Sequence, residues 1–173
     1  MSHATDSVHA HCTAQATVMS PLGALLLART ERGLAGAWFD GQKHHPGELA
    51  APSRPDDALL AQAAAQLTDY FAGRATHFSV PLDLQGTPFQ RAVWAALLRI
   101  AAGGTRSYAD IAHEIGKASA VRAVGGAVGR NPVSVIVPCH RVVGRDGSLT
   151  GYAGGAERKL ALLELEGVPG VHA

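Results

Sequence analysis

The sequence predicts an α+β protein: a small N-terminal α+β unit over residues 13–85, then a mainly helical unit over residues 86–173 that contains a helix-turn-helix. Three observations predict it. Residues 13–39 carry short extended runs punctuated by turn residues. Residues 56–72 carry apolar side chains at helical spacing. Beyond residue 86, three helix-start signals follow one another closely. A chain of 173 residues with 47% hydrophobic and 17% charged content has enough apolar material for a core. No apolar run reaches the roughly 20 residues that span a bilayer. No signal-peptide pattern opens the chain. A cytoplasmic protein without membrane contact is therefore expected.

The first twelve residues, MSHATDSVHAHC, are small, polar and rich in histidine. They read as a disordered arm in preference to a metal site built on His9, His11 and Cys12. The run ATVMSPLGALLLARTERGLAGAWF then reads as three short strands of an antiparallel meander, with turns at Pro21-Leu22-Gly23 and Glu31-Arg32-Gly33. Residues 40–55 form a polar, proline-bearing loop. Leu59, Leu60, Ala63, Leu67, Tyr70 and Phe71 mark one face of a helix that Gly73 stops. FSVPLDL adds one more extended segment.

The second unit opens on Thr87-Pro88-Phe89-Gln90. Its Thr, Pro and Gln stand at the cap, first and third positions of a capping box. The helix that follows is broken by Gly103-Gly104. Ser107-Tyr108-Ala109-Asp110 starts a short second helix that ends at Gly116, and Ser119 is expected to cap a third running through Val121, Val124 and Val128. A short helix, a glycine-containing turn and a helix bearing basic residues make a helix-turn-helix pattern. Gly125-Gly126 lies inside the third helix and costs about 1 kcal/mol per glycine relative to alanine. Close packing on the core explains it better than close approach to a DNA backbone. Residues 133–138 read as a buried extended run. A glycine-rich loop follows, and a last helix over 156–166 stops at Gly167.

Charge is unevenly placed. Residues 1–85 hold five Lys/Arg and eight Asp/Glu, whereas residues 86–145 hold eight Lys/Arg against Asp110 and Glu114, a net +6. Such asymmetry fits an anionic partner, most commonly nucleic acid, or equally a solvated basic face.

The chemistry gathers at IVPCHRVVG, residues 136–144, where Cys139 stands beside His140. Thiolate is the reactive form of cysteine, and apolar flanks raise the thiol pKa. A base must offset this. Adjacent side chains of a regular strand point to opposite faces, so His140 can serve only if the backbone bends at 138–140 or a water bridges the two. Glu164 and Glu166 are the candidate acids to orient the imidazole. No second pair of metal-ligand residues accompanies Cys139-His140, so no metal is expected. The two cysteines, Cys12 and Cys139, are expected as free thiols.

Pro138-Cys139-His140-Arg141-Val142 resembles the active-site motif of the O6-alkylguanine-DNA alkyltransferases. Phe89-Gln90, Val93-Trp94, Thr105-Arg106-Ser107-Tyr108, the run Arg122 to Ala127, Asn131-Pro132, Gly151-Tyr152 and Glu166-Gly167 fall in family order and spacing. SPLGALLLARTERGLAGAWFDGQ is similar to the bacterial, single-protein form, so the resemblance spans residues 14 to 168.

The resemblance implies a ribonuclease-H-like N-terminal domain and direct-reversal DNA repair. The alkyl group of O6-alkylguanine, or of O4-alkylthymine, would pass irreversibly and once to Cys139 from a base flipped out through the minor groove. It implies a methylated-DNA–protein-cysteine S-methyltransferase activity with no cofactor, acting as a monomer on double-stranded alkylated DNA without an obligatory protein partner. His140, Glu166, Tyr108 and Asn131 would complete the catalytic set. Arg122, Ser107, Ala123, Gly125, Gly126, Arg130 and Arg141 would face DNA. Val142, Tyr152, Ala153 and Gly154 would line the base pocket. Ala153 stands where the family often has Ser, so a backbone N–H there replaces a hydroxyl. The competing readings are a non-enzymatic alkyl-lesion-recognition protein, which lacks the acceptor cysteine, and a helix-turn-helix regulator.

Overall fold

The computed structural model describes residues 4–149 and 151–171. The chain divides into two compact units. The first holds the residues up to Gly86 together with Pro132–Ile136; the second holds Thr87–Asn131 and the chain from Val137 onward. The helical unit expected over 86–173 therefore gives up a five-residue segment to its neighbour.

In the first unit the meander forms as expected: β1 (Ala14–Val18), β2 (Leu25–Arg29) and β3 (Leu34–Phe39) pair antiparallel in that order. Leu26 sits opposite both Thr17 and Trp38, and a bulge falls between Ala28 and Arg29. β3 is buried along its whole length. Helix α2 (Ala58–Phe71) packs on the sheet with Leu60, Ala63, Leu67 and Tyr70 buried, and the Asp57 side chain caps it by accepting from the Leu60 N–H. FSVPLDL is extended and joins β3 edgewise: Leu34 N–H donates to Pro81 and Asp83 N–H to Leu34.

The N-terminal stretch departs from the expected arm. Ala4–His11 is a helix, α1, in which Val8 is fully buried against Ala28, Trp38 and Leu49. His9 is bonded to the Pro46 carbonyl and His11 to that of Ser7. Residues 1–3 of that expectation lie outside the described residues. Residues 133–138 depart as well. Val133 makes one bridge to Ala37, and the chain then turns twice within a few residues. Ile136 N–H donates to Ser134 across Val135, a β-branched residue held at φ 71°, and Cys139 N–H donates to Val137 across Pro138. Left-handed backbone at a β-branched residue costs on the order of 1–3 kcal/mol and persists only where the surroundings enforce it. Val135 is 1% exposed, so its burial supplies that enforcement.

In the second unit α3 (Pro88–Leu98) starts on the predicted capping box, with both reciprocal bonds present. Its Trp94 is fully buried, and the indole N–H donates to the Ala127 carbonyl at 2.9 Å, tying α3 to α5. α4 (Tyr108–Glu114) follows a second capping box at Ser107, and Gly116 at φ 73° turns the chain toward α5 (Val121–Gly129). Ser119 does not cap α5: its cap position is Ala120, without a side-chain bond. β4 (Arg106–Ser107) pairs parallel with β5 (Val142–Val143), which fixes the start of α4 beside the chain leaving Cys139. α6 (Ala156–Leu165) closes the unit, with Lys159, Leu162 and Leu163 buried. Among the described residues no helix is long and apolar enough to cross a membrane.

Candidate active site

Cys139 begins a 3-10 turn, Cys139–Arg141, entered through Pro138 at φ −82°, ψ 62°. This is the bend the sequence required, and it puts Cys139 and His140 on a turn rather than on opposite faces of a strand. Both are buried, Cys139 to 4% exposure and His140 completely. Burial pushes the Cys139 thiol above its ordinary range. Hydrogen bonding from the Asn131 side chain, the nearby Lys159 charge and the backbone N–H groups of Cys139 and His140 pull it back toward ionisation. Asn131 itself lies just past α5 and donates through Nδ2 to the Val137 carbonyl at 2.8 Å, fastening the turn's approach.

His140 Nε2 lies 2.8 Å from Glu166 Oε2, at the C-terminal end of α6. Of the two candidate acids, the structure selects Glu166; Glu164 is exposed. The same carboxylate takes Arg141 in a two-pronged pair, Nε to Oε1 at 2.8 Å and Nη2 to Oε2 at 2.9 Å, while Arg141 Nη1 donates to the Ile100 carbonyl. Burial, chiefly, lowers the His140 pKa against the raising influence of Glu166. A neutral imidazole has one N–H, and the carboxylate fixes it on Nε2. Nδ1 is then a lone-pair acceptor, and it has no hydrogen-bond partner among the described residues. The turn thus carries a buried thiol and, one residue on, a buried imidazole that Glu166 orients through Nε2.

Arg141 is the clear correction. It was expected to face DNA, but it is 6% exposed and its guanidinium is spent on Glu166 and Ile100. The remaining cations of the basic segment, Arg91, Arg99, Arg106, Lys117, Arg122, Arg130 and Arg145, are exposed. On α5, Arg122, Ala123 and Gly126 face outward, as does Arg130 just past its end, while Val124, Ala127 and Val128 are buried. The packing explanation for the paired glycines fails at Gly126, where an added Cβ would meet nothing within 4 Å. At Gly125 it would meet the Tyr108 ring at 3.8 Å, an ordinary contact.

Tyr108, the first residue of α4, packs toward α5, and its hydroxyl lies 2.8 Å from the point where a Cβ on Gly151 would stand. Ser107 uses its hydroxyl to accept from the Asp110 N–H, and the Asp110 carboxyl is held below its usual range by the return bonds from Ser107. Val142 is buried in β5. Tyr152 folds back over Gly154: a Cβ at 154 would fall 2.6 Å from its ring, so only glycine permits this placement. Tyr152 and Ala153 are half-buried. Sequence reasoning missed Lys159, which donates to the Val142 carbonyl. Its signal was present, since it precedes Leu162 and Leu163 at helical spacing and so belongs to the buried stripe. Among the described residues no group of three or more His, Cys, Asp or Glu could hold a metal, and both cysteines are free.

Fold and site define a class: a two-unit α+β protein that sets a buried cysteine and a buried His–Glu pair in the same unit as a helix-turn-helix. Comparison with known proteins makes this specific. Residues 14–84 match the family described as 6-O-methylguanine DNA methyltransferase, ribonuclease-like domain, and residues 88–168 match its DNA binding domain. Methylated-DNA–protein-cysteine methyltransferase of Mycobacterium leprae is 47% identical over 90% of this chain and 92% of its own. That of Mycobacterium bovis is 51% identical over 87% and 90%. The structure described as Mycobacterium tuberculosis OGT in complex with DNA superposes with a TM-score of 0.79 at 47% identity, covering 88% of this chain and 92% of that one. The chain belongs to the 6-O-methylguanine DNA methyltransferase family.

Proposed function

We propose that the protein repairs O6-alkylguanine in double-stranded DNA by moving the alkyl group to Cys139, once and irreversibly. One observation carries the reading: a buried thiol on the same 3-10 turn as a buried imidazole whose Nε2 is committed to Glu166. The thiol proton passes, through a water, to His140 Nδ1. Sulfur then attacks the alkyl carbon as the bond from that carbon to O6 breaks. Guanine leaves as the neutral base after taking a proton, for which Tyr108 is the candidate donor. The product is a thioether, which has no easy hydrolytic exit, so the acceptor is consumed.

The DNA face in this reading is α5 with its surroundings. Arg122 would fill the place of the flipped base, Arg130 and the other exposed cations would hold phosphates, and Gly126 would let the backbone come close. Ser107 and Ala123 flank this face. Val142, Tyr152, Ala153 and Gly154 would line the base pocket. The chain would act alone and without a cofactor. The test is incubation with duplex DNA carrying O6-methylguanine labelled in the methyl group. Label should appear on Cys139 in a one-to-one limit and be lost in Cys139→Ser; a protein that binds the lesion but takes up no label would instead be a recognition protein.

A further inference from the structure

The Tyr108 side chain runs between two glycines that are far apart in the sequence. A Cβ on Gly125 of α5 would stand 3.8 Å from one ring carbon and 4.0 Å from the next, an ordinary contact. A Cβ on Gly151, in the loop before α6, would stand 2.8 Å from the hydroxyl oxygen but 3.7 Å from Cζ, the carbon that carries it. Among the described residues no other atom outside the adjoining chain lies within 4 Å of that point. Carbon and oxygen that are not bonded repel at 2.8 Å. The hydroxyl is therefore the one part of Tyr108 that a side chain at 151 would strike.

The loop reaches this place through its own backbone. Gly151 has φ 73°, in the left-handed region that glycine enters freely. Its carbonyl lies over the end of α5, 3.8 Å from where a Cβ on Gly129 would stand. α4, α5 and the loop thus converge on Tyr108 in a slot walled by glycine.

A side chain at 151 would have two costs, and they fall in different places. Left-handed strain falls on stability. Contact with the hydroxyl falls on Tyr108: its ring edge already rests on α5, so it relieves the contact by swinging its far end away. Reacting geometry is sensitive to such a shift, and a misplacement of about 1 Å can cost about 10²-fold in rate.

We propose, resting on the alkyl-transfer reading, that Gly151 is a positioning residue for that reaction: its bare Cα leaves room for the Tyr108 hydroxyl and so holds it where it can donate to the leaving guanine. Gly151 touches no reacting atom and acts through Tyr108.

Gly73 supplies the matched control. It ends α2 in the first unit at φ 74°, and a Cβ there would meet nothing within 4 Å, so Gly73→Ala carries the backbone strain without the contact. Label transfer from duplex DNA carrying O6-methylguanine is timed at saturating DNA. Gly151→Ala should be slower than Gly73→Ala by about tenfold or more. Tyr108→Phe should be slow as well. Adding Gly151→Ala to it should slow it by less than about twofold further, because the ring without its oxygen stands clear of the new Cβ. Equal rates in Gly151→Ala and Gly73→Ala overturn the proposal. So does wild-type speed in Tyr108→Phe, which would leave the hydroxyl without a task. A Gly151→Ala penalty that persists undiminished in the Tyr108→Phe background overturns it too, by assigning the effect to the loop alone.

Placement is read without alkylated DNA. The chain has three tyrosines, so ¹³Cζ-tyrosine labelling, with Tyr108→Phe for assignment, follows the Tyr108 signal. That signal should shift in Gly151→Ala and hold in Gly73→Ala; a signal that holds in both overturns the proposal. If the wild type takes up no label, the alkyl-transfer reading fails, and the Tyr108 signal still decides whether Gly151 places the hydroxyl. If Gly151→Ala does not fold, adding Tyr108→Phe should restore folding, and a double variant no more stable than the single one overturns the proposal.

Discussion

Arg141 and His140 share one carboxylate: Glu166 Oε2 lies 2.9 Å from Arg141 Nη2 and 2.8 Å from His140 Nε2, and all three side chains are buried. The acid that aims the base is itself held in place by the cation next along the chain.

Glu166→Gln keeps the shape but removes the charge that both neighbours use. General-base assistance is typically worth about 10²–10⁴-fold. Single-turnover alkyl transfer should slow on that order, with lesion binding measured by gel shift little changed.

Arg141→Met should leave DNA affinity and its salt dependence as they are, because the guanidinium does not reach the surface. It should instead cost about 3–5 kcal/mol of stability by stranding the Glu166 carboxylate. Urea unfolding and a salt titration of DNA binding, run side by side, separate this from a phosphate contact, whose loss would flatten the salt slope.

Gly126→Ala meets no neighbouring atom, so helix propensity alone predicts a gain of up to about 1 kcal/mol in stability. If DNA presses against this face, affinity falls in the same variant. A thermal melt and a binding isotherm on one preparation give the two opposed signs.

Acid should weaken the protein in two stages. Burial holds the His140 pKa below its ordinary 6.5, so as pH falls through 6.5 the unfolded chain takes up a proton that the native one refuses, and stability drops. Asp57 and Asp110 have lowered pKa values, so their contribution is present above 3.8 and is lost as pH falls further. Unfolding midpoints at pH 7.5 and 5.5 should differ in the wild type, and the difference should shrink in His140→Gln.

Much of this was legible locally. The two capping boxes, the β1–β3 meander and the Cys139-His140 pair depend on residues within a few positions of one another, and they formed as read. The choice of Glu166 over Glu164 required the end of α6 to be placed, because one step along a helix turns a side chain by about 100°. Arg141 was misread because charge along the sequence does not say which side of the chain it leaves. The histidine-rich start was misread because burial of Val8 and the tertiary hydrogen bonds of Ser7 and His9 hold it against the rest of the unit. The twists at Val135 and Pro138 arise from tertiary enforcement that no propensity registers.

That twisted segment bears on how the chain may be dissected. Pro132 and Ser134 are hydrogen-bonded to Ala37 of β3, so a piece of the later chain is stitched into the earlier unit. A fragment cut at residue 87 would carry Val133, Val135 and Ile136 with no strand to receive them, only a few positions before the reactive thiol. Grafting the first half of a relative onto this second half would succeed or fail on how well the foreign strand accepts that stitch. Evolution could exchange the two halves only by also matching this short borrowed length of chain.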